Sequence, residues 1–122
     1  MRSRDIQCRD IANLPFVTLR GLKNLPYKSG LYFVTFKGCR ILYIGKSINM
    51  RARWIQHDVK DRLIKSKVHV RIHYLEINDT SRLETAELIL IKKFKPILNA
   101  RGLDRDFHHS MQRLYFPNLD RW

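Results

Sequence analysis

Acidic residues are scarce in this chain. Eleven Asp and Glu stand against twenty-four Lys and Arg among 122 residues, a formal net charge of +13. That balance points to a polyanionic partner, because each phosphate neutralised by a cationic side chain releases condensed counterions. The blander reading is charge that serves solubility alone, which so large an excess of one sign makes the weaker of the two. Cysteine is nearly missing as well: Cys8 and Cys39 are far apart and match no metal or redox spacing. The stretch Met1-Arg2-Ser3-Arg4-Asp5 lacks the apolar core of a secretory leader, so reduced thiols and a cytoplasmic, DNA-associated protein are expected. Long hydrophobic runs are absent. The longest aliphatic run is Leu88 to Ile91, far short of the roughly 20 residues of a membrane span, and no membrane partner is expected. There is no repeat and no low-complexity tract, and the length suits one domain.

What is present begins with two runs rich in aromatic and β-branched residues, Leu31-Tyr32-Phe33-Val34-Thr35-Phe36 and Arg40-Ile41-Leu42-Tyr43-Ile44. The short connection Lys37-Gly38-Cys39 contains a glycine able to take positive φ, so the pair reads as a β-hairpin ended by Gly45. A helix is expected next, capped by Ser47 or Asn49, with Met50, Arg53, Trp54 and His57 at helical spacings. A polar, basic stretch, 58–67, carries no assigned element. Val68, Val70, Ile72 and Tyr74 then alternate with His69, Arg71 and His73, which predicts a half-buried third strand. Ser81-Arg82-Leu83-Glu84 fits a capping box, and Leu83, Ala86, Leu90, Ile91 and Phe94 form the apolar stripe of a second helix stopped by Pro96. The expected fold is α+β: a small three-stranded, mainly antiparallel sheet flanked by helices. Residues 1–29 read as an N-terminal extension packed on the domain, with a short helix near Asp5 to Ala12. The main domain is 30–99, and 100–122 form a C-terminal extension with aromatic residues (Phe107, Tyr115, Phe116, Trp122) able to dock back.

Glu87 breaks the pattern. Its place among Leu83, Leu90 and Ile91 turns a carboxylate toward the apolar stripe, which is costly unless a cation meets it. Reaching solvent past the stripe is the ordinary alternative; a metal ion or a buried Lys or Arg is the functional one. Arg53 and His57, four apart on one helix, are the expected complement. Lys46, between a strand end and a helix start, is well placed for an anion. Tyr32 and Tyr43 fall eleven apart on paired strands, so both hydroxyls can reach one site, although ordinary strand tyrosines would look the same.

Gly30-Leu31-Tyr32, a gap of ten residues, and Tyr43-Ile44-Gly45-Lys46-Ser47 together resemble the signature of the GIY-YIG nuclease superfamily. The likeness continues through Arg53, His57 and Glu87 to Lys92-Lys93-Phe94-Lys95-Pro96-Ile97-Leu98-Asn99, and Asn24-Leu25-Pro26 is similar to the usual lead-in. The departure is Leu31, where isoleucine is usual. The resemblance implies hydrolysis of DNA to 5′-phosphate and 3′-hydroxyl ends, with one divalent ion, magnesium or manganese, on Glu87. It implies catalytic parts for Tyr32, Tyr43, Lys46, Arg53, His57 and Asn99, the last bracing the site after the second helix. His57 is similar to a histidine of the homing-endonuclease branch, and Lys46 to a lysine of the excision-repair branch. DNA contacts are expected from Lys46, Arg51, Arg53, Lys92 and Lys93.

In the expected chemistry, Mg²⁺ on Glu87 and the Arg53 guanidinium stabilise charge developing on the phosphate oxygens. A phenol is a poor base near neutral pH, so adjacent cations are expected to lower the Tyr32 pKa and let it accept the proton of water, with Tyr43 orienting. The two tyrosines can be exchanged in this scheme. A DNA-binding accessory protein without turnover stays open as the rival, and an RNA-binding domain lacks the usual aromatic motifs. No small-molecule cofactor is expected. A homodimer or a larger complex stays open. Arg101, Arg105, Arg113 and Arg121 read either as backbone contacts or as a solvated surface.

Overall fold

The computed structural model describes residues 6–37 and 40–99. The elements run α1 (Cys8–Ala12), β1 (Phe16–Thr18), β2 (Gly30–Phe36), β3 (Arg40–Ser47), α2 (Met50–Ile55), α3 (Asp58–Ser66), β4 (Arg71–Glu76) and α4 (Leu83–Phe94), with short 3₁₀ turns between some of them. The strands form one antiparallel sheet in the order β1-β4-β2-β3.

The sheet has four strands where three were expected. The fourth is β1, whose residues pair with β4 through Phe16↔His73, Val17↔Ile72 and Thr18↔Arg71. A strand of three residues, hemmed by Pro15 and a 3₁₀ turn, is too short to show alternation. Its presence makes β4 an interior strand. His73, expected on a solvent face, is therefore only 1% exposed. Its Nδ1 lies 3.0 Å from the Leu14 carbonyl oxygen, and burial holds its pKa below the ordinary imidazole value.

The interior strand β2 is buried along its whole length, which explains its unbroken apolar run. On one face Tyr32, Val34 and Phe36 pack with Leu42, Ile72, Met50, Trp54, Val59 and Leu63. On the other, Leu31, Phe33 and Ile44 pack with Ile6, Ile11 and the α4 residues Leu83, Ala86 and Leu90. Gly30 lies where β2 crosses β4: a Cβ there would come within 2.2 Å of the Leu75 carbonyl oxygen. In the hairpin Tyr32 faces Gly45 and Val34 faces Tyr43, but Thr35 faces Ile41, so Leu42 is an extra, bulged residue. Lys37 turns the chain with φ of 49°. Gly38 and Cys39, expected to close the turn, lie outside the described residues, as does the C-terminal extension with its arginines and aromatic residues.

Three local expectations are revised. Residues 58–66 form α3; only Val59, Leu63 and Ser66 of its described side chains are buried, an inward stripe with too few apolar residues to advertise a helix. The Ser81–Glu84 capping box does not form. Asp79 is the cap instead, its Oδ1 accepting from the Ser81 N–H at 3.1 Å at the head of the 3₁₀ turn that leads into α4. Cys8 is in a disulfide, against the expectation of reduced thiols. Among the described residues, no helix is long and apolar enough to cross a membrane.

Candidate active site

The hairpin register places Tyr32, Tyr43 and Gly45 on one face and Lys46, opposite Leu31, on the other. β3 is an edge strand, so groups from both faces can meet around its rim. Gly45 is required on steric grounds, since a Cβ on it would stand 2.4 Å from two Tyr32 ring carbons and 2.5 Å from its hydroxyl. The tyrosine ring lies flat over the glycine.

Around that ring the chain gathers aromatic groups. Tyr43, half-buried, stacks on Tyr32 with centroids 6.2 Å apart. Trp54 of α2 meets Tyr32 edge-on at 5.3 Å and stacks on His57 at 4.6 Å. His57, 2% exposed, brings its Nε2 to 2.9 Å from the Tyr32 hydroxyl oxygen. The His57 Nδ1 accepts the backbone N–H of Val59 at 3.1 Å. His57 is thus the N-cap of α3 and does not share a helical face with Arg53, as the spacing had implied; α2 ends at Ile55, before it. Arg53, on the last turn of α2, nonetheless lies near enough to Tyr32 to bias its pKa downward, so the two residues converge on one phenol.

Burial pushes the Tyr32 pKa above the ordinary phenol value, and Tyr43 and the Glu87 charge add to the rise; Arg53 opposes it without prevailing. In the metal-free chain the pKa therefore runs opposite to the lowering expected from Lys46, Arg53 and a metal together. Tyr32 is 1% exposed, and the desolvation of a phenolate there outweighs one neighbouring guanidinium.

Glu87 does face the sheet, its side chain 17% exposed, and something positive meets it. The complement is Lys46 of β3, with Nζ 3.6 Å from Oε1, and not Arg53 or His57. Burial raises the Glu87 pKa despite Lys46, and Glu84 contributes in the same direction. Glu84, expected in a capping box, is exposed.

Asn99 follows α4 in a short 3₁₀ turn and folds back on β3. Its Oδ1 accepts the Ile44 N–H and its Nδ2 donates to the Ile44 carbonyl, both at 2.9 Å. One side-chain amide thereby satisfies the outward backbone groups of the edge strand beside Tyr43 and Gly45.

Other expected contacts are engaged elsewhere. Arg51 donates through Nε to the Leu25 carbonyl at 2.6 Å and stacks on Tyr27 at 3.9 Å, fastening the segment before β2. Lys93 donates to the Ile6 carbonyl and lies beside the Phe94 ring. Lys92 is exposed on α4. Two parts of the cluster escaped sequence reasoning: the stacking of Trp54 on His57, hinted at only by their three-residue spacing, and the Val59 N–H, for which the sequence carries no signal.

The profile of the GIY-YIG catalytic domain matches residues 28–101, and the chain belongs to this family. Among curated relatives, the UvrABC system protein C of Bacteroides thetaiotaomicron is 33% identical over 112 residues, covering 84% of this chain but 18% of that protein. The protein of the same name from Malacoplasma penetrans is 32% identical over 82 residues, covering 64% and 14%. The chain therefore spans less than a fifth of the length of these relatives. A solved structure of the GIY-YIG N-terminal endonuclease domain of UvrC from Thermotoga maritima, an asparagine-to-alanine mutant bound to its catalytic divalent cation, superposes with a TM-score of 0.56 at 21% identity, covering 68% of this chain and 96% of that one. The same domain bound to magnesium gives 0.55 at 20% identity, covering 67% and 96%. At that identity the likeness establishes the fold.

Proposed function

We propose that this domain is a metal-dependent DNA endonuclease that hydrolyses phosphodiester bonds to 5′-phosphate and 3′-hydroxyl ends. The observation that carries the reading is Glu87: a carboxylate held against the sheet at an energetic cost, near enough to Tyr32 to raise its pKa, and met among the described residues by Lys46 at 3.6 Å.

The residues fit a hard divalent cation. Among the described residues no group of three or more His, Cys, Asp or Glu is placed to hold a metal, which disfavours an enclosed all-protein cage. One carboxylate that leaves room for water and phosphate oxygens suits magnesium or manganese. The Thermotoga maritima domain, with its magnesium, is consistent with this. When bound, such an ion supplies positive charge to the phosphate oxygens.

The chain's own groups have the following parts. The exposed end of Arg53 reaches a non-bridging phosphate oxygen and stabilises charge as it develops. Tyr32 first gives up its own phenol proton to solvent; as the phenolate it accepts the proton of the attacking water while the departing 3′ oxygen takes a proton from solvent, and Tyr43 orients that water. Tyr32 rests as the neutral phenol; because the Glu87 charge helps keep it protonated, neutralising that carboxylate moves its pKa down. Lys46 holds Glu87 in place and, partly exposed, can turn to a phosphate oxygen. Asn99 keeps the β3 rim in register and acts as a positioning residue.

Supercoiled plasmid incubated with Mg²⁺ tests the reading. The wild type converts it to nicked circles, and neither Glu87→Ala nor a sample with chelator does. A wild type that shifts plasmid on a gel without nicking it refutes the enzyme and leaves a DNA-binding module.

A further inference from the structure

Two hydrogen bonds at His57 determine which of its nitrogens carries the proton. The Val59 backbone N–H points at Nδ1, and an amide N–H can only donate, so Nδ1 presents its lone pair. The neutral ring then has its hydrogen on Nε2. Nε2 contacts Tyr32, which makes the phenol oxygen the acceptor. The Tyr32 oxygen thus receives the His57 N–H, and its own hydrogen is directed away from His57. With the opposite tautomer, Tyr32 would have to give that hydrogen to Nε2, and its proton would be tied to the protein interior.

We propose that the first turn of α3 is a tautomer lock for Tyr32: the Val59 N–H holds His57 as the Nε2–H form, and His57 is a positioning residue that donates to the phenol oxygen. The lock is part of the helix itself. The first N–H groups of α3 have no intrahelical acceptor, and the N-cap side chain supplies one. A serine or aspartate would cap as well, but only a histidine carries a second nitrogen that passes the polarity on to Tyr32. Trp54, its ring 24° from the imidazole plane, holds that ring in orientation. The consequence for cleavage rests on the endonuclease reading. The tautomer does not.

The molecule contains its own control. His73 also contacts a backbone group through Nδ1, but that group is the Leu14 carbonyl, which can only accept. His73 is therefore the Nδ1–H form, and its buried Nε2 has no hydrogen-bond partner among the described residues. His57 and His73 carry their hydrogens on opposite nitrogens.

A long-range proton–nitrogen correlation spectrum of the full chain, ¹⁵N-labelled at histidine and free of metal and DNA, reads both tautomers. The signals are assigned with His57→Gln and His73→Gln. The expected result is His57 protonated at Nε2 and His73 at Nδ1. Finding His57 protonated at Nδ1, or at both nitrogens near neutral pH, overturns the lock. In plasmid nicking, His57→Gln retains both an acceptor oxygen and a donor N–H, and stays within about tenfold of the wild type. His57→Leu has neither, and falls by about 10²-fold or more. A folded His57→Leu that nicks as fast as the wild type, or a folded His57→Gln as slow as His57→Leu, overturns the donor role. A wild type that never nicks removes the endonuclease reading and the cleavage half of the proposal with it; the spectrum still decides the tautomer.

Discussion

One methyl group added at Gly45 should separate the geometry of the site from its chemistry. In Gly45→Ala the new Cβ meets the Tyr32 ring at 2.4 Å, where ordinary contact begins near 3.4 Å, so ring and strand must part by about 1.0 Å. The ring has no free side to move to: Trp54, His57 and Tyr43 pack around it, and its residue is 1% exposed. The backbone itself accepts alanine, since no left-handed φ is present at this position. Overpacking of this kind costs about 1–3 kcal/mol. Removing a glycine from a strand returns about 0.5–1 kcal/mol, so the net loss is roughly 0–2.5 kcal/mol. Activity should suffer more than stability, because a 1 Å displacement of an aligned group costs about 10²-fold in rate. Urea unfolding gives the first quantity and plasmid nicking the second. Replacing Tyr32 by leucine in the same background should recover stability, giving a coupling energy on the order of 1 kcal/mol between the two sites. If Gly45→Ala keeps both the urea midpoint and the nicking rate of the wild type, the close approach of Tyr32 to Gly45 is not a constraint and the reasoning fails.

Two further outcomes follow from Glu87 and Asn99. The Glu87 pKa is raised by folding, so the folded chain holds that proton more tightly than the unfolded one, and stability declines as the pH rises from the ordinary carboxylate value of 4.5 through the raised one. Metal-free Glu87→Gln should therefore melt at or above the wild-type temperature near neutral pH, with a flatter pH dependence, and Mg²⁺ should raise the melting temperature of the wild type alone; a metal-free variant less stable at neutral pH contradicts the assignment of burial as the cause. Asn99→Ala removes both bonds to Ile44 and should cost about 1–3 kcal/mol together with much of the nicking rate, since water reaches that rim and replaces part of the loss; unchanged hydrogen exchange at the Ile44 amide would show that the bridge contributes nothing.

The hairpin, the inward carboxylate and the family were legible in the amino-acid order alone. These features are local: alternating or unbroken apolar runs, a charged residue in an apolar stripe, and motif residues at fixed spacing. Even the side of Lys46 follows from the pairing of β2 with β3, though its partner does not. What lies beside what came from the packing of the folded chain. β1 is too short to signal itself and becomes a strand because β4 has an edge to fill, which in turn buries His73. That Asp79 caps the 3₁₀ turn ahead of α4, while Ser81 caps nothing, depends on how the chain enters the helix from β4. The direction of the Tyr32 pKa was hidden for the same reason. Neighbouring cations can be guessed from motif spacing, but desolvation depends on Trp54, Met50 and Val59 closing over that face of the sheet, and in the folded chain it is the larger effect. Glu87 is the converse case. Its inward direction was legible from helix periodicity, while the identity of the cation that answers it, Lys46, required the rim of β3 to be brought against α4.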